Sequence, residues 1–241
     1  MKRKKRWLVI ADSLALPRPG VPYECTWPFL LQERFAHWDW INLARRESTT
    51  DRLNTDGDGA GGDCLEFYEP DGVILHLGIC DCAPRLYRRR DPLQYVIFNL
   101  PGGLGRRVTS LVERHIGRKV RYAWVGPERF EANLEKYLGR CMRFGTQVLA
   151  LEIMPVDGDI LTKNPEIAGR IALYNEIYRR VESRHANFHV VRIFEPGVSM
   201  KDHAVDGYHL NREGGLLVAQ GLERVLGRIT AIAPPGPGGA T

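Results

Sequence analysis

Four short, nearly unbroken apolar runs and a fifth that alternates weakly constrain this chain more than any other feature. They are Trp7 to Ala11, Val73 to Gly78, Val148 to Met154 and Phe188 to Phe194, with Trp38 to Leu43 as the alternating one. Runs this short and this uniformly apolar suit strands covered on both faces. Helical spacing fills the intervals. Phe29, Leu30, Glu33 and Phe35 suggest a helix after the proline-rich stretch Pro17 to Pro22, and Phe130, Leu134, Tyr137, Cys141 and Phe144 recur at helical steps. Ile167, Ile171, Tyr174 and Val181 hold one face of another helix, and Asn211 is placed to cap a last one from Arg212 to about Ile229. Strands alternating with helices indicate an α/β chain with a parallel sheet and right-handed crossovers.

A length of 241 residues fits one such domain. With 44% hydrophobic and 26% charged residues, disorder and coiled coil are excluded as its main character. The expected organisation is a basic arm over 1–6, a single domain over 7–230 with an insertion at about 83–127, and a disordered Pro/Gly-rich tail over 231–241. The insertion follows the third strand and is too long for a simple crossover, so it is a candidate lid or substrate wall. Thr55 to Asp63 reads as a flexible linker, since the glutamate that would complete a calcium loop is missing.

The net charge of +5 equals the cations Lys2, Arg3, Lys4, Lys5 and Arg6, and the rest of the chain is neutral. A broad nucleic-acid-binding surface is therefore not expected, and the arm is read as solvated. The apolar run after it stops at Asp12 without a cleavage site, and no segment approaches the roughly 20 apolar residues of a membrane span. The expected location is the cytoplasm, with Cys25, Cys64, Cys80, Cys82 and Cys141 as reduced thiols.

Ligands of open parallel sheets sit at the carboxyl ends of the strands. Ser13, the stretch Gly78 to Asp81, and Pro155 all follow strand ends, so they belong on one rim. A serine after a strand is also an ordinary turn residue. Asp206 and His209, three residues apart before the last helix, can pair so that the carboxylate fixes the imidazole tautomer; they can also be a surface turn.

Taken together, Asp12-Ser13-Leu14 after the first strand, Gly78-x-x-Asp81 after the third, and Asp206-x-x-His209-Leu210-Asn211 before the last helix resemble the SGNH/GDSL hydrolase superfamily. The likeness is one of order and spacing over most of residues 7–229. It implies a three-layer flavodoxin-like fold, a five-stranded parallel sheet with helices on both faces. It also implies a serine esterase or O-acyltransferase working through an acyl-enzyme, on an ester of a carbohydrate or glycan precursor, with no cofactor and no metal. On that pattern Ser13 is the nucleophile, His209 the general base and Asp206 its orienting carboxylate, while Gly78 and Asp81 match the third motif. The stretch from Asn164 to Ala168 and the pair Tyr174-Asn175 are similar to a subgroup found near glycan-modifying enzymes.

The sequence departs from the family at two places. Ala11 replaces the usual glycine before Asp-Ser, and Cys80 replaces the asparagine that donates to the oxyanion. A thiol is a poor donor, and one missing donor costs about 3 kcal/mol of transition-state stabilisation. Three outcomes stay open: main-chain amides of Ser13 and of a neighbour of Ala44 or Arg45 suffice, a guanidinium of Arg45 or Arg46 substitutes, or the site is weakened. The last leads to the alternative of a non-catalytic ligand-binding module. Zinc at Cys80 and Cys82 lacks the ligand spacing, and a cysteine nucleophile would need a cation beside it. Arg85, with Arg88 to Arg90, either draws an anionic substrate or is a solvated loop.

Overall fold

The computed structural model describes residues 3–55, 62–88 and 122–232, together with 91, 92, 96, 97, 99–101, 104, 105, 107, 108 and 111. Five strands form one sheet: β1 Arg6–Ala11, β2 Asp39–Asn42, β3 Gly72–His76, β4 Gln147–Leu151 and β5 Phe188–Val191. Every pairing is parallel, in the order β2-β1-β3-β4-β5, which is the flavodoxin-like order. All five residues of β3 are buried, and so are all but the first of β1 and of β4. Central strands of a parallel sheet covered on both faces are continuous apolar runs for this reason.

The helices are α1 Trp27–Arg34, α2 Gly62–Tyr68, α3 Ile79–Cys82, α4 Pro127–Arg143, α5 Asp159–Lys163, α6 Ile167–Glu182 and α7 Arg212–Ile232. α1 packs on α7, and α4 packs on α6, giving the layers that flank the sheet. Phe130 of α4 meets Tyr174 and Tyr178 of α6 edge-on, with ring centroids 4.9 and 5.1 Å apart. Gly72 pairs with Trp7, and a side chain there would collide with the Trp7 indole, which fills that space.

Several boundaries differ from those expected. β3 stops at His76 because Gly78 turns the chain with φ of 113°, a conformation that favours glycine. β4 stops at Leu151 because the Asn175 side chain takes both main-chain groups of Ile153: its Oδ1 accepts from the amide at 2.8 Å and its Nδ2 donates to the carbonyl at 2.9 Å. β5 ends at Val191, where its register with β4 ends. α2 begins at Gly62, inside the stretch read as a linker, and α5 and the 3-10 turns at Ser13–Ala15, Tyr23–Cys25 and Thr50–Asn54 were not expected. Phe144 caps α4 and is exposed rather than on its buried face.

The arm is not free over its described part. Arg3 pairs with Asp71 at 3.0 Å, the Arg6 amide donates to the same carboxylate at 2.7 Å, and Arg6 already belongs to β1. At the root of the insertion, Arg85 and Tyr122 exchange main-chain hydrogen bonds of 2.8 Å in both directions. Residues 56–61, most of the helix expected near Val108 to Ile116, Tyr95, Phe98, Arg89 and Arg90, and 233–241 lie outside the described residues. Among those described, no helix is long and apolar enough to cross a membrane.

Candidate active site

Ser13 opens the 3-10 turn that follows β1, and Asp12 fixes that turn. The Asp12 amide donates to the His76 carbonyl at 3.1 Å, and its carboxylate accepts from the Leu14 amide at 2.9 Å. The hydroxyl of Ser13 is thereby held at the rim of the sheet. From the other end of the chain, the loop before α7 brings His209 to 3.0 Å between Ser13 Oγ and His209 Nε2. Asp206 grips His209 twice, accepting from its amide at 3.0 Å and from Nδ1 at 2.7 Å. Since a carboxylate only accepts, Nδ1 carries the proton, Nε2 of the neutral ring is the acceptor, and Ser13 donates to it.

The loop is built to hold this pose. Gly207 accepts from the Asp157 amide at 2.8 Å, the Val205 amide donates to the His209 carbonyl at 2.8 Å, and Tyr208 lies 3.8 Å from the His209 ring between centroids. Arg18 joins the two halves of the site. Its guanidinium donates to the Ser13 carbonyl at 3.1 Å and stands 3.8 Å from Asp206. Partial burial lowers the His209 pKa below its ordinary value, aided by the charges of Arg18 and Arg46 and opposed by Asp206. Partial burial works in the other direction on Asp206, but the hydrogen bonds from His209 prevail and hold its carboxyl below the usual range.

These side chains open onto a cavity of about 470 Å³. Ser13, Cys80, Tyr208 and His209 line it, with Ile79, Val156, Ile160 and Ile167 as the apolar wall and Arg18, Arg46, Glu47 and Arg85 as the charged one. Of the residues marked from the sequence, Ser13, His209, Arg46, Cys80 and Arg85 meet here, and Asp206 stands behind His209. Ala44, Arg45, Gly78 and Asp81 are not on the wall. The Ala44 amide donates to Asn42 Oδ1 at 3.0 Å and that of Arg45 to the Ala11 carbonyl at 3.0 Å, so both are spent on the turn after β2. Asp81 is fully buried and accepts from the Thr50 amide at 2.9 Å and the Thr50 hydroxyl at 2.6 Å, bracing α3 to the segment after β2.

Glu47, Arg18 and Tyr208 were not singled out in the sequence. Glu47 has φ of 58°, a conformation that favours glycine, on the cavity wall just after β2. Among the described residues, the main-chain amides of Ser13 and Glu47 donate to no other group. Tyr208, between Asp206 and His209, was within reach of inspection, whereas nothing in the sequence marks Arg18 except its closeness to Ser13.

Burial pushes the thiols of Cys80 and Cys82 well up, with Asp81 adding to both and Asp12 to Cys80, which disfavours the thiolate that a cysteine nucleophile needs. Asp12 itself is fully buried, and burial raises its carboxyl to about 7, with the Asp81 charge contributing. His76 lies behind the site against Trp27, and burial takes its pKa down to about 3.

The profile of the GDSL-like lipase/acylhydrolase family matches residues 12–215. No curated protein sequence matches the chain. Among solved structures it is similar to the psychrotrophic esterase EstA from Pseudoalteromonas sp., determined as inhibited by monoethylphosphonate. That match has 15% identity and a TM-score of 0.58, over 95% of this chain and 100% of the other. A GDSL-like lipase from Bacteroides thetaiotaomicron matches at 12% identity and TM-score 0.58, over 93% and 89%. LAE5, an α/β hydrolase enzyme from the metagenome of Lake Arreo, matches at 17% identity and TM-score 0.60, over 94% and 97%. At these identities the structures speak for the fold alone.

Proposed function

This chain belongs to the GDSL-like lipase/acylhydrolase family, whose members hydrolyse esters, and on that premise we propose that Ser13 is its nucleophile, His209 its general base and Asp206 the carboxylate that orients the base. The observation that carries the assignment is the hydrogen-bonded series Ser13 Oγ, His209 Nε2, His209 Nδ1, Asp206 Oδ2, with links of 3.0 and 2.7 Å. A structure with Ser13 and His209 well beyond hydrogen-bond reach would have favoured a non-catalytic module; the pairing at 3.0 Å supports the enzyme instead.

Each step then has an owner. Ser13 Oγ attacks the ester carbonyl carbon as its proton passes to His209 Nε2, and Asp206 stabilises the imidazolium. The tetrahedral intermediate collapses, the alcohol leaves with the proton from His209, and the acyl group stays on Ser13. Water, deprotonated by His209, attacks the acyl-enzyme and releases the acid. The developing oxyanion is met by the main-chain amides of Ser13 and Glu47. We read Glu47 as standing where the family's second motif has glycine, since its left-handed backbone is the one glycine adopts freely. Cys80 occupies the asparagine position with a protonated thiol, a weak third donor.

A carbohydrate or glycan-precursor ester is the substrate class we favour, on the similarity of the stretch from Asn164 to Ala168, of which Asn164 and Ile167 line the cavity. Transfer to a sugar hydroxyl in place of water uses the same acyl-enzyme, and adding an acceptor sugar tells the two apart by product. The deciding experiment is Ser13→Ala. It should lower kcat on 4-nitrophenyl acetate or an acetylated sugar by about a thousandfold or more and abolish labelling by a fluorophosphonate probe. Undiminished turnover and labelling would overturn the assignment.

A further inference from the structure

Arg85 is a half-buried cation on the cavity wall that no carboxylate among the described residues answers. Its guanidinium lies 4.5 Å over the Trp124 ring, its Nε is buried without a hydrogen-bond partner, and its main chain is locked to Tyr122 on both sides. Other covered arginines have acceptors for their guanidinium: Arg140, with 19% of its side chain exposed, reaches Glu66, Arg170 at 22% reaches Glu166, Arg34 at 26% reaches Glu223, and the buried Arg52 donates to the Leu43 carbonyl and the Ser48 hydroxyl. Taking a guanidinium partly out of water without a partner is unfavourable, so the exception marks a place where the partner arrives from outside. Stacking on Trp124 covers one face of the planar group and leaves its N–H edge for an in-plane, two-pronged acceptor.

Arg46 lies on the same wall, also without an ion pair among the described residues. Arg18 is already engaged by Ser13 and Asp206, and among the described residues the one acid on the wall is Glu47. The field of Arg85 reaches Tyr208 and Cys80, and that of Arg46 reaches His209. The positive charge thus faces the place where an ester would sit. We propose that Arg85, with Arg46, binds an anionic oxyacid group, carboxylate or phosphate, carried by the ester that Ser13 attacks. The inference rests on the serine-esterase reading for its chemistry but not for its binding.

Two matched ester pairs test it at low ionic strength. Mono-4-nitrophenyl succinate against 4-nitrophenyl butyrate places a carboxylate on the acyl side, and 4-acetoxyphenyl phosphate against phenyl acetate places a phosphate on the alcohol side. The charged member should win at least one pair by about tenfold or more in kcat/KM, with the ratio shrinking as salt is added and falling toward one in Arg85→Gln. Arg85→Lys, which keeps the charge and loses the fork, should also lower the ratio if Arg85→Gln does not fold. Ratios at or below one in both pairs, or a ratio that neither variant changes, would overturn the proposal. Loss of neutral-ester turnover in Ser13→Ala keeps the nucleophile assignment whatever the ratios are. Calorimetric titration of succinate and phenyl phosphate into Ser13→Ala reads binding without turnover: about tenfold weaker binding after adding Arg85→Gln supports the anion site, and equal or absent binding in both sinks it.

Discussion

As the proposed general base, His209 would have to be neutral when an ester arrives, and its surroundings favour the neutral ring. Partial burial and the charges of Arg18 and Arg46 lower its pKa, Asp206 raises it, and the balance lies below the ordinary 6.5. A general base works unprotonated, so kcat/KM should rise with pH through that pKa, with the midpoint of the acid limb below 6.5. Asp206→Asn removes the raising partner. The limb should then move further down in pH, and kcat should fall by about 100- to 10,000-fold because the ring loses its fixed tautomer. A pH–rate profile of both proteins checks this, and a limb above 6.5 would count against His209 as the base. At Glu47 a different residue-scale strain operates. A left-handed backbone costs a non-glycine residue about 1–2 kcal/mol, which Glu47→Gly would relieve against a glycine entropy penalty of about 0.5–1 kcal/mol. Urea melts should show Glu47→Gly equal to or slightly more stable than the parent, and Glu47→Val less stable by more than about 1 kcal/mol.

Elements position those residues, and two loops do most of the positioning. The segment before α7 is fastened through Gly207, whose φ is 88° and whose missing Cβ would fall against the Asp157 carbonyl. Gly207→Ala should therefore displace Asp206 and His209 together. The expected result is a kcat loss of about tenfold or more with the sheet intact by circular dichroism; an unchanged kcat would show that the loop tolerates the shift. β1, β3 and β4 were legible because burial on both faces leaves a continuous apolar run, while β2 and β5, only partly covered, showed as a weak alternation and a mixed run; α4 and α6 were legible because sixteen or seventeen residues allow the helical period to repeat. α2 and α5, of seven and five residues, are too short to show a period. The end of β4 was hidden for another reason, since it depends on Asn175, more than twenty residues later, capturing the main chain of Ile153.

At the scale of the whole molecule, the buried Asp12 couples folding to pH. Its folded pKa of about 7 stands above the ordinary carboxyl value of 3.8, so between those values the native chain holds a proton that the unfolded chain has released. That contribution is present at low pH and is lost as pH rises from about 4 to about 7, on the order of a few kcal/mol. Asp12→Asn keeps the acceptor for the Leu14 amide and should be less sensitive to pH over that window, which paired denaturation curves at pH 4.5 and 7.5 would show. The candidate site was legible at Ser13, Asp206 and His209 because motif order survives without knowledge of packing. The charged wall was only half legible, since Arg18 and Glu47 matter through a turn and a backbone angle that no pattern announces. The hydrogen bond from Ser13 to His209 spans 196 residues of sequence. The first follows β1 and the second precedes α7, so the pair exists only where the two ends of the sequence order meet on one sheet rim. On the proposed triad, two fragments cut between 88 and 122 should each be inert and regain turnover only on reassociation, as a complementation assay would measure.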